Sequence, residues 1–283
     1  MTASIDTRLA TLRLAADRCR AVPGRRGRLL LLQDADEVLA AGDMHGHVEN
    51  FRQAMLRADL ARHPRRHLVL QELIHGPFRY PDGSDRSHQL VDLACALIGQ
   101  FPGRVHYLPG NHELAQLTGR RIGKEADLDL NDQFSAGVRT AYGSRADEVM
   151  AAYHDLWRAA PLAIRTEGGL FLSHSLPSAG MQEAWELAML ERDPTPDADL
   201  QPGGPAYALV WGRDLRPEAS DSFLARCGAS ALVTGHVPVE GGWRLASERH
   251  LVLDTQGHPA AVALLPAGRA LLPGELAGGV KLL

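Results

Sequence analysis

Sulfur is scarce in this chain. Its 283 residues hold three cysteines, Cys19, Cys95 and Cys227, far apart and with no CxxC spacing. Neither a disulfide framework nor a thiolate zinc site is expected, and a reducing compartment fits best. Cys95, inside LVDLACALIG, reads as a small buried apolar group. Long apolar runs are lacking too. No stretch reaches the roughly 20 residues of a membrane span, and the N-terminus shows no long apolar segment of the signal-peptide kind. A cytoplasmic protein without a membrane partner is expected. Nor is there a marked excess of one charge: Lys and Arg total 30 against 34 Asp and Glu, a formal net charge of -4. That balance gives no global reason to expect nucleic acid. The basic cluster Arg20, Arg25, Arg26 and Arg28 reads as a solvated loop.

What is present is an alternation. Residues 4–21 carry apolar side chains at helical spacing, and PGRRGR ends that helix. Then EVLAAGD, VENFRQAMLRADLARH, HLVLQEL, SHQLVDLACALIGQ and RVHYLPGN follow one another as short apolar runs and amphipathic segments. This β-α-β-α-β rhythm predicts a layered α/β sheet. Further on, residues 131–160 read as helical, PLAIRTEG and GLFLSHS as two strands joined at Gly-Gly, and residues 183–190 as a helix. Residues 193–205 read as a surface loop, and YALVWGR, ALVTGHV, RHLVLDT and AAVALLP as further strands. With no internal repeat and no low-complexity linker, one domain over residues 1–283 is expected, its core at about 38–266.

The strand ends carry the chemistry. EVLAAGD ends in Asp43, with His45 two residues on; HLVLQE ends in Glu72; VHYLPGN in Asn111 and His112; LFLSH in His174; LVTGH in His236. In layered α/β sheets the C-terminal edge is where loops build sites. One histidine beyond a strand is usually a surface residue, but five strands delivering Asp, His, Glu, Asn and His point to a common centre. Oxygen and imidazole donors without thiolate suit Mn, Fe or Zn. Gly42, Gly46, Gly110 and Gly235 flank these residues and are expected to supply the tight turns that bring the loops together.

GDMHG, LPGNHE, the His174 of FLSHSLP and TGH, in this order, resemble the calcineurin-like metallophosphoesterase superfamily, nearest its Ser/Thr phosphoprotein phosphatase branch of bacterial type. APLAIRTEGGLFLSHSLPS is similar to that family's strand pair before its metal histidine, and LVWGRD to its tryptophan-containing turn. The resemblance implies a four-layer α-β-β-α sandwich of two mixed sheets flanked by helices. It implies two divalent metal ions, Mn foremost with Fe or Zn as alternatives. Asp43 and His45 would hold the first, Asn111, His174 and His236 the second, with a carboxylate between them. Cations about 3.5–4 Å apart turn water into hydroxide near neutral pH.

The chain departs from the family in its GDxxDRG block. PDGSDRS offers Asp82, Asp85 and Arg86 at the right internal spacing, but in a loop-like stretch. HLVLQE offers Glu72 on a strand, with an insertion over residues 73–84 before Asp85 and Arg86 resume the motif. Glu72 is preferred as the bridging acid, because rigid elements position ligands better than loops do. His112 is then expected as general acid, Asp85 as the group that orients it, Arg86 as a bidentate phosphate clamp and Arg213 as a second clamp. His47 is expected to face the following helix and His75 to be a solvent-exposed turn residue, while Glu113 is expected to make a supporting contact rather than bind metal. The expected reaction is metal-dependent hydrolysis of phosphomonoesters, on a phosphoprotein or a small phosphorylated molecule. A nucleotide pyrophosphohydrolase or phosphodiesterase, and a non-catalytic phosphate-binding module, are the alternatives.

Overall fold

A computed structural model describes residues 4–123 and 129–283. It opens with α1 (Ile5–Arg20), where the Ser4 hydroxyl accepts from the Thr7 N–H and caps the first turn. Two mixed sheets follow. One has five strands in the order β12-β11-β3-β4-β5. Its centre is the parallel set β3 (Glu37–Asp43), β4 (Arg66–Gln71) and β5 (Val105–Leu108). Two antiparallel strands, β11 (Ala261–Pro266) and β12 (Val280–Leu282), extend it from β3. The other has seven strands in the order β1-β2-β6-β7-β8-β10-β9. These are β1 (Arg25–Arg26), β2 (Leu29–Leu32), β6 (Ala163–Thr166), β7 (Leu170–Ser173), β8 (Ala231–Thr234), β9 (Trp243–Ser247) and β10 (His250–Leu253).

Strand alternation builds the layers. Val38, Ala40 and Val69 point inward and meet Ile164, Leu172, Val233 and Leu251 of the other sheet in one apolar core. Their neighbours Leu39, Ala41, Leu68 and Leu70 point outward. They pack under α1, α2 (Val48–Ala58), α3 (His88–Gln100), α5 (Leu130–Tyr142) and α6 (Ala146–Ala159). On the far face Leu29, Ala163, Phe171 and Leu232 pack under α8 (Pro205–Trp211) and α9 (Pro217–Cys227). The result is the four-layer sandwich that the family resemblance implies.

Three expectations are corrected. YALVWGR is not a strand but α8: Gly204 and Pro205 start it, and Ala206, Leu209 and Val210 bury one helical face. So short an apolar run does not reveal its period. Residues 183–190 form no α-helix; the short α7 (Ala179–Gln182) precedes them and a 3-10 turn, Leu187–Glu191, ends the stretch. The supposed insertion begins later than residue 73, because Leu73 and Ile74 are fully buried and both donate their N–H to Glu113 Oε1. The LLLL run of β2 and helix α9 have no counterpart among the expected elements.

The sheets are a core apart along most of their length and converge at one end. There Gly42 N–H donates to Thr255 Oγ1 at 2.8 Å, and Asp43 pairs with Asp254 as an isolated β-bridge. A Cβ on Gly42 would stand 2.0 Å from Leu253 O. That contact leaves room for glycine alone.

Candidate metal centre

The convergent end collects the strand-end residues. Asp43 closes β3, with His45 in the turn after it. Glu72 follows β4, and Asn111 and His112 open α4 (Asn111–Thr118) beyond β5. From the opposite sheet, His174 follows β7 and His236 follows β8. Asp43, His45, Glu72, Asn111, His174 and His236 are all buried.

The Glu72 carboxylate lies between two donor sets. Its Oε2 is 3.3 Å from His45 Nε2, and its Oε1 is 3.4 Å from His174 Nε2. That same His174 nitrogen is 3.1 Å from Asn111 Oδ1 and 3.1 Å from His236 Nδ1. Asp43 Oδ1 is 3.5 Å from His174 Nδ1. Glu72 recurs in two triads whose ligand atoms all lie within 4.8 Å of one another, His45–Glu72–His112 and Asp43–Glu72–His174. Asp82 is elsewhere: it is exposed, accepting from Ser84 and from Thr140.

Local backbone geometry is bent to make this possible. His45, Glu72, His75 and His236 all have positive φ, at 39°, 38°, 61° and 66°. Such values are costly for side chains other than glycine and cluster where the surroundings force them. The turn at Glu72 is forced by hydrogen bonds. The N–H groups of Met44 and His45 donate to Glu72 O, and Glu113, fully buried, accepts from Leu73, Ile74, Gly110 and Tyr107. Of the flanking glycines, Gly46 does take a left-handed φ of 74°. Gly110 and Gly235 serve by close approach instead: a Cβ would come within 2.3 Å of Glu72 Oε1 and 2.2 Å of Asp43 Oδ1 respectively.

Charge is distributed unevenly. Burial alone would raise the Glu72 carboxyl, but the facing rings of His174, His112 and His45 hold it well below the ordinary range. Burial, and then the Glu72 charge, push Asp43 well above its ordinary value. His45 resists burial because Glu72 and Asp43 face it, and its pKa rises to about 10. His174 is lowered by burial to about 4, and His236 is lowered well below its usual value by burial and then by His174. The seven-stranded sheet therefore presents neutral imidazoles.

These residues fit divalent cations. A single ring N–H on His174 Nε2 cannot serve Asn111 Oδ1, His236 Nδ1 and Glu72 Oε1 at once, whereas one cation can. The nitrogens on the far side of these two rings, His174 Nδ1 and His236 Nε2, are buried without a hydrogen-bond partner among the described residues. The oxygen-and-imidazole set, lacking thiolate, matches the hard to borderline metals.

The residues assigned to catalysis are placed less uniformly. His112 stands at the centre, its ring edge-on to His45 at 4.7 Å and its backbone N–H donating to Glu72 Oε1 at 2.9 Å. Asp85 does not orient it. That carboxylate accepts from Ser87 N at 2.8 Å and faces Arg79 at 3.3 Å. The partner of His112 is His75, with the two Nδ1 atoms 2.9 Å apart. His75 is buried, not solvent-exposed; the signal that finds it is the count of GDxxD from Glu72, which lands on residue 75. Arg86 is exposed, with its guanidinium over the Phe78 ring at 5.7 Å. Arg213 lies beside the centre, donating to His236 O at 3.3 Å. His47 precedes α2 with its ring against Phe78, 4.8 Å between centroids.

Fold and strand-end residues together are of the calcineurin-like phosphoesterase kind. The pattern of the calcineurin-like phosphoesterase family matches residues 37–240, and the chain belongs to that family. A probable serine/threonine-protein phosphatase of Encephalitozoon cuniculi is 28% identical over 182 residues, 59% of this chain and 36% of the relative. The match thus spans about a third of that relative's length. Among solved structures, a protein serine/threonine phosphatase from Saccharomyces cerevisiae, with similarity to human phosphatase PP5, superposes with a TM-score of 0.70 at 13% identity. It covers 99% of this chain and 89% of that one. A cold-active protein-tyrosine phosphatase of a psychrophilic Shewanella species gives a TM-score of 0.58 at 16% identity, with 89% and 83% covered. At these identities the superpositions speak for the fold.

Proposed function

We propose that the protein is a metal-dependent phosphatase that hydrolyses phosphomonoesters, on a phosphoprotein or a small phosphorylated molecule. The observation that carries this is the Glu72 carboxylate, one oxygen facing His45 and the other facing His174, whose ring nitrogen Asn111 and His236 also face. Asp43, His45 and Glu72 would hold one divalent cation, and Glu72, Asn111, His174 and His236 a second. Mn is the first choice, with Fe or Zn as alternatives. Bound there, such a pair supplies Lewis acidity toward water and phosphoryl oxygens.

The chain's own residues do the rest. His112, beside Glu72 and His45, would give a proton to the leaving oxygen as the ester bond breaks. Arg213, which donates to the His236 carbonyl, would meet a phosphoryl oxygen. Arg86, on the loop that carries Phe78, would reach the site only from its rim. The reading is tested with an aryl phosphate. Hydrolysis should require Mn, vanish on chelation and fall on His112→Asn. A metal-loaded protein that is inert toward phosphomonoesters would sink it.

A further inference from the structure

We propose that His75 is a positioning residue that fixes the tautomer of His112 and so decides which of its nitrogens faces the centre. The proposal rests on the phosphatase reading for its catalytic meaning, but not for its geometry. A line of polar groups runs inward from α5, with Gln116 and His75 buried. Gln116 Nε2 donates to Ser135 Oγ at 3.1 Å, which turns the amide oxygen toward His75. Gln116 Oε1 lies 3.2 Å from His75 Nε2 and can only accept, so that nitrogen carries the hydrogen. His75 Nδ1 is then bare. It lies 2.9 Å from His112 Nδ1, which must donate. Three hydrogen bonds in series therefore leave neutral His112 with its hydrogen on Nδ1 and with Nε2 free for the reaction.

His75 is itself held at both ends. Its N–H donates to Ser87 Oγ at 3.0 Å, its φ is 61°, and its ring meets Phe134 edge-on at 5.8 Å. Gln116 and His75 are only 8% and 7% exposed, so water cannot readily replace the partners. The proton count closes. The acid form of His112 carries hydrogens on both nitrogens. As the P–O bond breaks, its electron pair goes to the leaving oxygen, which takes the Nε2 hydrogen. What remains is the Nδ1–H tautomer that His75 already accepts from. A mispositioned tautomer would present a hydrogen-bearing Nε2 in the neutral state and nothing for Nδ1 to hold.

Selective 15N labelling of histidine, read by NMR on the chelated protein at neutral pH, tests this without any turnover. His112 should show a protonated Nδ1 and a bare Nε2. His75→Phe keeps a buried ring but removes the acceptor. It should shift His112 toward the Nε2–H form and, in the Mn-loaded protein, lower kcat about 10–100-fold with KM nearly unchanged. His75→Asp restores an acceptor near the Nδ1 position and should recover both the tautomer and most of kcat. If His75→Phe does not fold, Gln116→Leu replaces it, since loss of the amide oxygen frees His75 to invert and should mix the two His112 tautomers. A wild-type His112 protonated on Nε2 alone would overturn the proposal, as would a folded variant that changes neither tautomer nor kcat. If the Nδ1–H tautomer is present and responds to His75→Phe while no phosphoester is hydrolysed, the positioning role stands and the phosphatase reading falls.

Discussion

The two sheets bring unlike chemistry to one point. The edge of the five-stranded sheet supplies Asp43, His45, Glu72 and Asn111, and its two carboxylates are fixed by backbone. Both Asp43 oxygens are 2.9 Å from His236 N, and Glu72 Oε1 accepts from His112 N. The edge of the seven-stranded sheet supplies His174 and His236, rings that burial keeps neutral. One edge brings carboxylates tied by backbone N–H groups; the other brings imidazole rings. Glu72 belongs to both, because its two oxygens face the two sides. The design principle is preorganisation: backbone ties hold the carboxylates in place before any cation binds.

The strongest way to break this comparison is to remove the shared charge. Glu72→Gln keeps the shape and an acceptor for His112 N but takes away the negative charge that both sides use. Loss of several kcal/mol of charge stabilisation corresponds to a fall of about 10³-fold in aryl phosphate turnover. A variant within about threefold of wild type would mean that the two donor sets do not work as one centre.

A second test sharpens it by asking which edge the cation orders. Mn at about 100 times its Kd should stabilise the fold by about 2.7 kcal/mol, which moves Tm by roughly 5–10 °C. His174→Ala should abolish most of that shift, since four ligand atoms meet around its ring, whereas His47→Ala should leave it intact. The pH dependence has a definite sign. His45 is raised to about 10 by Glu72 and Asp43 against burial, so without metal it carries a proton through the neutral range. Metal must displace that proton, so affinity should tighten as pH rises toward about 10 and weaken as pH falls. Isothermal titration in buffers of different ionisation enthalpy counts the proton released; a count of zero contradicts the assignment of His45.

How much of this could be read from the sequence follows from the range of the interactions. Parallel strands buried on both faces show as unbroken apolar runs, so EVLAAGD, HLVLQEL and VHYLPGN stand out, and a polar residue closing such a run is conspicuous. Asp43, Glu72, Asn111, His174 and His236 are therefore visible one strand at a time. The pairing of His75 with His112 is not, because it joins residues 37 apart through a ring-to-ring hydrogen bond. Local composition around residue 75 looks like a turn, and DR at residues 85 and 86 matches the family motif better to the eye. Helix α8 was hidden for a related reason: with only seven residues, an apolar run shows no period.

That rivalry between residues 75 and 85 supplies the smallest expected effect. Asp85 is 1% exposed, with Oδ1 accepting from Ser87 N and lying 3.3 Å from Arg79, whose side chain is 30% exposed. Its Oδ2 has no hydrogen-bond partner among the described residues, and burial raises its pKa. Asn at this position retains an oxygen for Ser87 N, loses a half-screened ion pair and no longer buries a charge. The gains and losses nearly cancel, leaving a change of about 1 kcal/mol in stability in either direction. Turnover of Asp85→Asn should stay within about twofold of wild type, against the 10–100-fold loss expected for His75→Phe. Measured side by side, equal losses in the two variants would return Asp85 to the catalytic centre and undo the contrast between the turn after β4 and the loop that follows it.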